Sequence, residues 1–171
     1  MAKKTEKVLL SLEEQAALPR AGLLRRLAAL LYDMFLVAAI WICLGFVLQL
    51  LFGETTKLVD GELQTNPVLS SLYFLMMISS AAYFYIWFWR RTGQTLGMQV
   101  WNIRVQNDDG TPVTWLQAFM RMLLGIASWL PFGLGYLWQI VDKDSKTWTD
   151  RFSDSVTVAV PRPTSRHREK D

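Results

Sequence analysis

Between Leu27 and Phe52 the chain carries one charge, Asp33, and Gln49 as a second polar residue in an otherwise apolar run. A run of this length can cross a bilayer, which needs roughly 20 apolar residues at about 1.5 Å of rise each. Arg26 stands where such a helix would leave the headgroups, and its long side chain can reach back to them. Asp33 is too short to do so. Seven residues further on, it lies on the same helix face as Arg26 and roughly 10 Å deeper. A carboxylate in hydrocarbon costs about 3 kcal/mol even on lenient insertion scales. Asp33 must therefore be protonated, paired, or turned toward a wet cavity, and the rest of the sequence should supply its partner.

The hydrophobic residues fall into three long blocks, the pattern of a membrane chain rather than a globular one. They predict a mainly α, polytopic membrane protein with helices over about 26–52 and 67–89, a third broken apolar segment over 115–141, and a small cytoplasmic β element. At 171 residues the chain has room for one domain. Residues 1–24 read as a cytoplasmic N-terminal segment, 25–160 as the membrane domain, and 161–171 as a disordered basic tail. The formal charge of +3 is small and sits in flanking segments, so it reads as topology and headgroup attraction. No motif for binding nucleic acid accompanies it. Cys43 is the only cysteine, which excludes an intrachain disulfide. The run after Arg26 is also far longer than the apolar core of a removed signal peptide, so it is expected to remain in the membrane.

Ahead of the first run, Leu9, Leu10, Leu12, Ala16, Ala17 and Leu18 suit a short interfacial helix, with Ser11 and Glu14 as its capping box; a loose tail is the alternative. Residues 53–66 read as a short acidic loop with Lys57 as its one positive charge. The second run starts at Pro67 and ends in Tyr83, Tyr85, Trp87 and Trp89, half of an aromatic belt, followed at once by Arg90 and Arg91. Ser70, Ser71, Ser79, Ser80, Ala81 and Ala82 give it small positions for close helix packing. Residues 92–114 are too polar to span. Val100, Ile103 and Val105 favour a strand, Asn107-Asp108-Asp109-Gly110 a turn, and Thr111–Trp115 a returning strand, which together predict a β-hairpin. Pro131-Phe132-Gly133-Leu134-Gly135 interrupts the third run, which either crosses once or returns to the side it entered. The basic residues after it favour the return. Val156–Val160 reads as a strand able to pair with 99–105.

Two ionisable residues stand out inside the apolar blocks, Asp33 and Arg121. If both helices enter from the cytoplasmic face the two reach similar depths, and an ion pair would reduce the cost of burying either. The plain role of such a pair is to clamp helices together. The functional one is an ion or proton site at Asp33 and Arg121. Asp150-Arg151 and Asp154 form either a solvated turn or, through Asp150, a partner for Arg25 or Arg26. The one histidine, His167, lies in the basic tail, so no metal set, Cys-His pair or Ser-His-Asp triad can be assembled. No phosphate-binding glycine loop is present. These absences argue against an enzyme and predict no cofactor and no metal.

In order and spacing these residues resemble the RDD family of small bacterial membrane proteins, named for one arginine and two aspartates. The resemblance runs from Pro19 to Val160. Arg26-Leu27-Ala28-Ala29 with Asp33 looks like the family's first helix, and Gly93-Gln94-Thr95-Leu96-Gly97 through Arg104-Val105 and Asp109-Gly110 like its middle segment. Arg121 falls where many members have an arginine, and Asp150-Arg151 looks like the second aspartate. The chain departs from the usual pattern at Met98, at Thr149 and at Asp154-Ser155. The resemblance implies family-motif charges at Arg26, Asp33 and Asp150, and a role in transport with no general substrate. The readings to compare are thus transport of a small ligand or ion, a cation or proton among the candidates, near Asp33, and a scaffold that recruits a partner and whose buried charges are structural. The lipid bilayer is the expected partner, with a homo-oligomer expected if one small bundle cannot form a path.

The distribution of Lys and Arg predicts a multi-pass chain with the N-terminus, 90–114 and the C-terminus cytoplasmic and 53–66 outside, and the resemblance implies the inner membrane. Single cysteines introduced on a Cys43→Ser background should be labelled accordingly. A C-terminal site labelled only from outside would overturn the returning path of 115–141.

Overall fold

The computed structural model describes residues 11–161. Leu9 and Leu10 of the expected interfacial helix, and the tail from Arg162 with His167, lie outside the described residues. The helices are α1 (Leu12–Ala16), α2 (Leu23–Phe52), α3 (Pro67–Arg91), α4 (Leu96–Val100), α5 (Trp115–Trp129), α6 (Leu134–Leu137) and α7 (Trp148–Phe152). The strands are β1 (Thr56–Val59), β2 (Glu62–Thr65), β3 (Ile103–Gln106) and β4 (Val156–Ala159).

α2 and α3 are each long and apolar enough to cross a membrane. Along α2 only a narrow stripe, including Arg26, Ala29, Asp33 and Val37, is buried, while Leu24, Phe35, Ile42, Leu50 and Leu51 face outward. Asn66 caps α3 by accepting the amides of Val68 and Leu69 ahead of Pro67, and Arg90 and Arg91 complement the dipole at its other end. At the far end the two helices are tied by Tyr73, whose hydroxyl donates to the Leu48 carbonyl at 2.6 Å, and by Trp41, whose Nε1 donates to the Met77 carbonyl at 2.9 Å.

Residues 53–66, expected to be a loop, form the β1–β2 hairpin with Leu58 opposite Leu63. Asp60 and Gly61 both take left-handed φ, 52° and 83°, as a two-residue hairpin turn requires. The hairpin expected over 99–115 is absent. α4 occupies its first part, and β3 pairs instead with β4, Ile103 opposite Ala159 and Gln106 opposite Val156. Thr111–Thr114 forms no strand: Pro112 has no N–H to donate to a ladder, and Val113 turns into the core. The predicted pairing of the 156–160 strand with the 99–105 region is therefore the one the chain makes. β4 is held on its other edge by the segment before α2, where Ala159 N donates to the Pro19 carbonyl and Ala21 N to that of Thr157.

α1 has the expected Ser11–Glu14 capping box, but it docks on β3 rather than standing apart. Gln106 Nε2 donates to the Gln15 carbonyl at 2.7 Å and Arg104 donates to Gln15 Oε1 at 3.1 Å. The third apolar segment is not one helix. α5 and the stretch Leu134–Ile140 meet at 108°, across a break containing Pro131 and a left-handed Gly133. The core beneath these elements gathers Ala21, Ala29, Met98, Ile103, Val105, Val113 and Ala118, with Ile86 and Trp89 packed on it.

α4 lies against α2 so closely that a Cβ on Gly97 would collide with the Ala29 carbonyl oxygen and with Asp33 Oδ1. Gly97→Ala should therefore cost about 2 kcal/mol, the scale of overpacking against backbone that cannot yield. A lowered melting temperature of the purified variant in detergent would show it; an unchanged one would mean α4 does not rest on α2.

Candidate functional site

The buried charges separate into two groups, both built from helix caps. In the first, Thr147 begins α7 by accepting the Asp150 amide, and Asp150 accepts the Thr147 amide in return. This capping box turns the Asp150 carboxylate inward, where its side chain is wholly buried. Arg26 Nη1 donates to Oδ2 and Arg121 Nη2 reaches Oδ1 at 2.7 Å. Each guanidinium is fixed further by neutral acceptors. Arg26 donates to the Ala21 carbonyl at 3.0 Å and the Thr157 carbonyl at 3.2 Å, and Arg121 to Ser155 Oγ at 2.8 Å and to Thr157 Oγ1. Burial pushes the Asp150 carboxyl up, but Arg121 and then Arg26 outweigh it and hold it below the usual carboxylate range.

The second group contains Asp33. Its Oδ2 accepts the Thr95 hydroxyl at 2.5 Å and its Oδ1 the Gly97 amide at 2.9 Å. Thr95 is itself the cap of α4, accepting the Met98 amide. Asp33 thus completes the N-terminus of a neighbouring helix, where free amides and the dipole favour a negative group. Among the described residues no cation lies within salt-bridge distance of it.

The expected Asp33–Arg121 pair is accordingly replaced by two separate arrangements. Similar depth does not make contact: α7, Ser155 and β4 supply Arg121 with a carboxylate and two hydroxyls, while α4 and its cap Thr95 supply Asp33 with donors. Of the three motif charges, Arg26 and Asp150 meet and Asp33 stands apart. Arg26 rather than Arg25 is the partner of Asp150; Arg25 is exposed. The residues missed are Thr95, Gly97, Ser155 and Thr157. Ser155 and Thr157 alternate with Val156 and Val158, a period-two signal that places hydroxyls on one face of β4 and methyls on the other.

Both groups border one half-open cavity of about 480 Å³ between α2, α3, α5 and α6. Arg26, Asp33, Arg121, Thr149 and Thr157 supply its polar wall. Trp41, Tyr85, Trp89, Trp129 and Tyr136 supply aromatic surface, and the small Ala81, Ala82 and Gly125 leave the space open. Arg121 also lies over the Trp89 ring, 5.8 Å from its centre. A volume of this size suits a small ligand.

The model of the RDD family matches residues 20–154. The chain belongs to the RDD family. No curated protein and no solved structure matches it. In this RDD chain the matched stretch contains Arg26, Asp33, Arg121 and Asp150, and Met98, a departure from the usual pattern, is a buried core residue beside Ala29.

Asp150→Asn should leave two buried guanidiniums short of a counter-charge and cost about 3–5 kcal/mol. In double-mutant cycles read by detergent unfolding, Arg121→Gln and Asp150→Asn should be strongly non-additive. Arg121→Gln and Asp33→Asn, which share no partner, should add to within about 0.5 kcal/mol. A large coupling energy for that second pair would put the two residues in contact after all.

Proposed function

We propose that this RDD protein is a multi-pass protein of the bacterial inner membrane that takes a small ligand or ion into the cavity beside Asp33, as a step in its transport. The observation that carries this reading is the cavity itself: space for a ligand among the apolar helices, with Arg26 and Asp33 of the family motif and Arg121 in its largely apolar wall. A concave, mostly apolar space with a few convergent polar groups is the usual form of a small-ligand site.

The expected orientation has both ends of the domain and residues 92–114 in the cytoplasm and the β1–β2 hairpin outside. It is supported by β4, which pairs with β3 and with the segment before α2, and by Arg26, which meets Asp150 after the third apolar segment. The 108° bend supports a segment that enters and returns. A homo-oligomer would extend the single cavity into a path across the bilayer.

The second reading, a membrane scaffold, has one observation in its favour. Asp33 already accepts two hydrogen bonds that dock α4, which is a complete structural role. Flux in proteoliposomes separates the two. On the transport reading, wild type moves a small ion or solute down an imposed gradient, while Asp33→Asn inserts, keeps its melting temperature to within a few degrees and loses flux. A wild type without flux under any cation or proton gradient, combined with a strongly destabilised Asp33→Asn, would establish the scaffold instead.

A further inference from the structure

The polar wall of the cavity is short of negative charge at one end. Arg26 and Arg121 share a single carboxylate, so this cluster carries one positive charge in excess, and their other acceptors are neutral carbonyls and hydroxyls. Asp150 lies behind them with no exposed side-chain surface, out of reach of anything in the cavity. Beside Arg121, the buried Nε1 of Trp89 has no hydrogen-bond partner. Gln139, which donates to the same Ala21 carbonyl as Arg26, keeps an unpartnered Oε1 nearby, so the surplus at this end is one of positive charge. Asp33 does not offset it, because it lies roughly 10 Å further along α2 and is engaged by α4.

The shape of the cavity is equally specific. On α2 its lining runs as one stripe from Arg26 to Trp41, about 22 Å of helix rise. Beyond the charged end this stripe meets apolar and aromatic surface, interrupted by Asp33, whose carboxylate oxygens are taken up by Thr95 and Gly97. The rim residues Met34, Ile78, Ile126 and Trp129 are exposed, so the cavity opens sideways on a surface that α2 and α3 would present to lipid.

From this we infer that the cavity holds one acyl chain of an anionic lipid, with its acidic head, carboxylate or phosphate, at Arg26 and Arg121 and its tail along the α2 stripe. The inference deepens the reading that the cavity is a ligand site and names the chemistry of the ligand. Charge complementarity selects an anion over a cation, since an organic cation would meet two guanidiniums at the same end. A long apolar groove selects an amphiphile over a free inorganic ion. Basic pockets between spanning helices are a known means of holding acidic lipid heads.

The test uses the full chain purified in a neutral detergent, with bound lipid counted by native mass spectrometry. Three probes are added separately: oleate, a phosphatidylglycerol, and a phosphatidylcholine with the same chains. Oleate, phosphatidylglycerol or both should give one saturable adduct, and which of them binds identifies the head. The phosphatidylcholine should bind about tenfold more weakly or worse, the scale of losing a charge-assisted contact. Arg121→Gln should reduce the acidic adduct by a similar factor. Because that variant also disturbs Asp150, Ala82→Leu is made in parallel: it fills the groove, leaves every charge in place and should abolish the adduct while the melting temperature holds. Equal binding of all three lipids, or tight binding of tetraphenylphosphonium in their place, overturns the inference. So does undiminished acidic-lipid binding in Ala82→Leu. Flux that depends on Asp33 without any lipid adduct would leave the transport reading standing and remove this one; a saturable acidic adduct without flux would do the reverse.

Discussion

One carboxylate, Asp150, is shared by two arginines from helices far apart in sequence, and most of the fold is arranged around that contact. Arg26 comes from the start of α2 and Arg121 from the first half of α5. Neither can be left in an apolar setting unpaired, and a pair buried this fully is favourable only if its remaining hydrogen-bonding positions are filled. They are filled by Ser155 just ahead of β4, by Thr157 Oγ1 and the Thr157 carbonyl within it, and by the Ala21 carbonyl. The opposite face of the same strand presents Val156 and Val158, both wholly buried. A four-residue strand thus divides a polar knot from an apolar core, and its ladder partners β3 and the segment 19–21 hold it at the junction.

Asp33 solves the same problem by different means. It faces backbone amide and hydroxyl rather than cation, and a short helix rather than a strand. The result is that α2 carries two docking points on one stripe, Arg26 for the C-terminal elements and Asp33 for α4. The cavity lies in the space these contacts leave between α2, α3 and α5. Elsewhere charge pairing is peripheral: Lys146 and Arg20 both reach an exposed Asp108, whose carboxyl the Lys146 hydrogen bond chiefly holds low. Such solvated pairs contribute little to stability.

How far the sequence could be read follows from the kind of signal each element leaves. The spans of α2 and α3 were legible because an uncharged run of Leu, Val, Ile and Phe has few other uses. The Ser11–Glu14 cap and the strand in 156–160 are legible because a capping box and an alternating strand are local patterns. The partner of Asp33 was not legible, since half of it is the Gly97 amide, and a backbone donor leaves no mark in the residue type. Arg121 was visible as a buried charge, but its depth along a helix says nothing about which way it faces. Turns are less legible. Asp60-Gly61 carries the hairpin signal inside a segment polar enough to read as a loop. Asp109-Gly110 carried a similar signal, yet Pro112 after it removes a donor that a returning strand would need.

The long spacing of these contacts has a consequence for how the chain is made. Asp33 is 62 residues from Thr95, and Arg26 is 124 residues from Asp150. Synthesis at about 5–20 residues per second puts roughly 6–25 s between the emergence of Arg26 and that of its carboxylate. During that interval the first helix holds a cation and an anion that its finished neighbours will later satisfy, and both must be met by water, headgroups or the insertion machinery. Asp33 is relieved about halfway through, when α4 appears. Arg26 waits for nearly the last element of the domain, so the polar knot closes only after every apolar segment has been delivered.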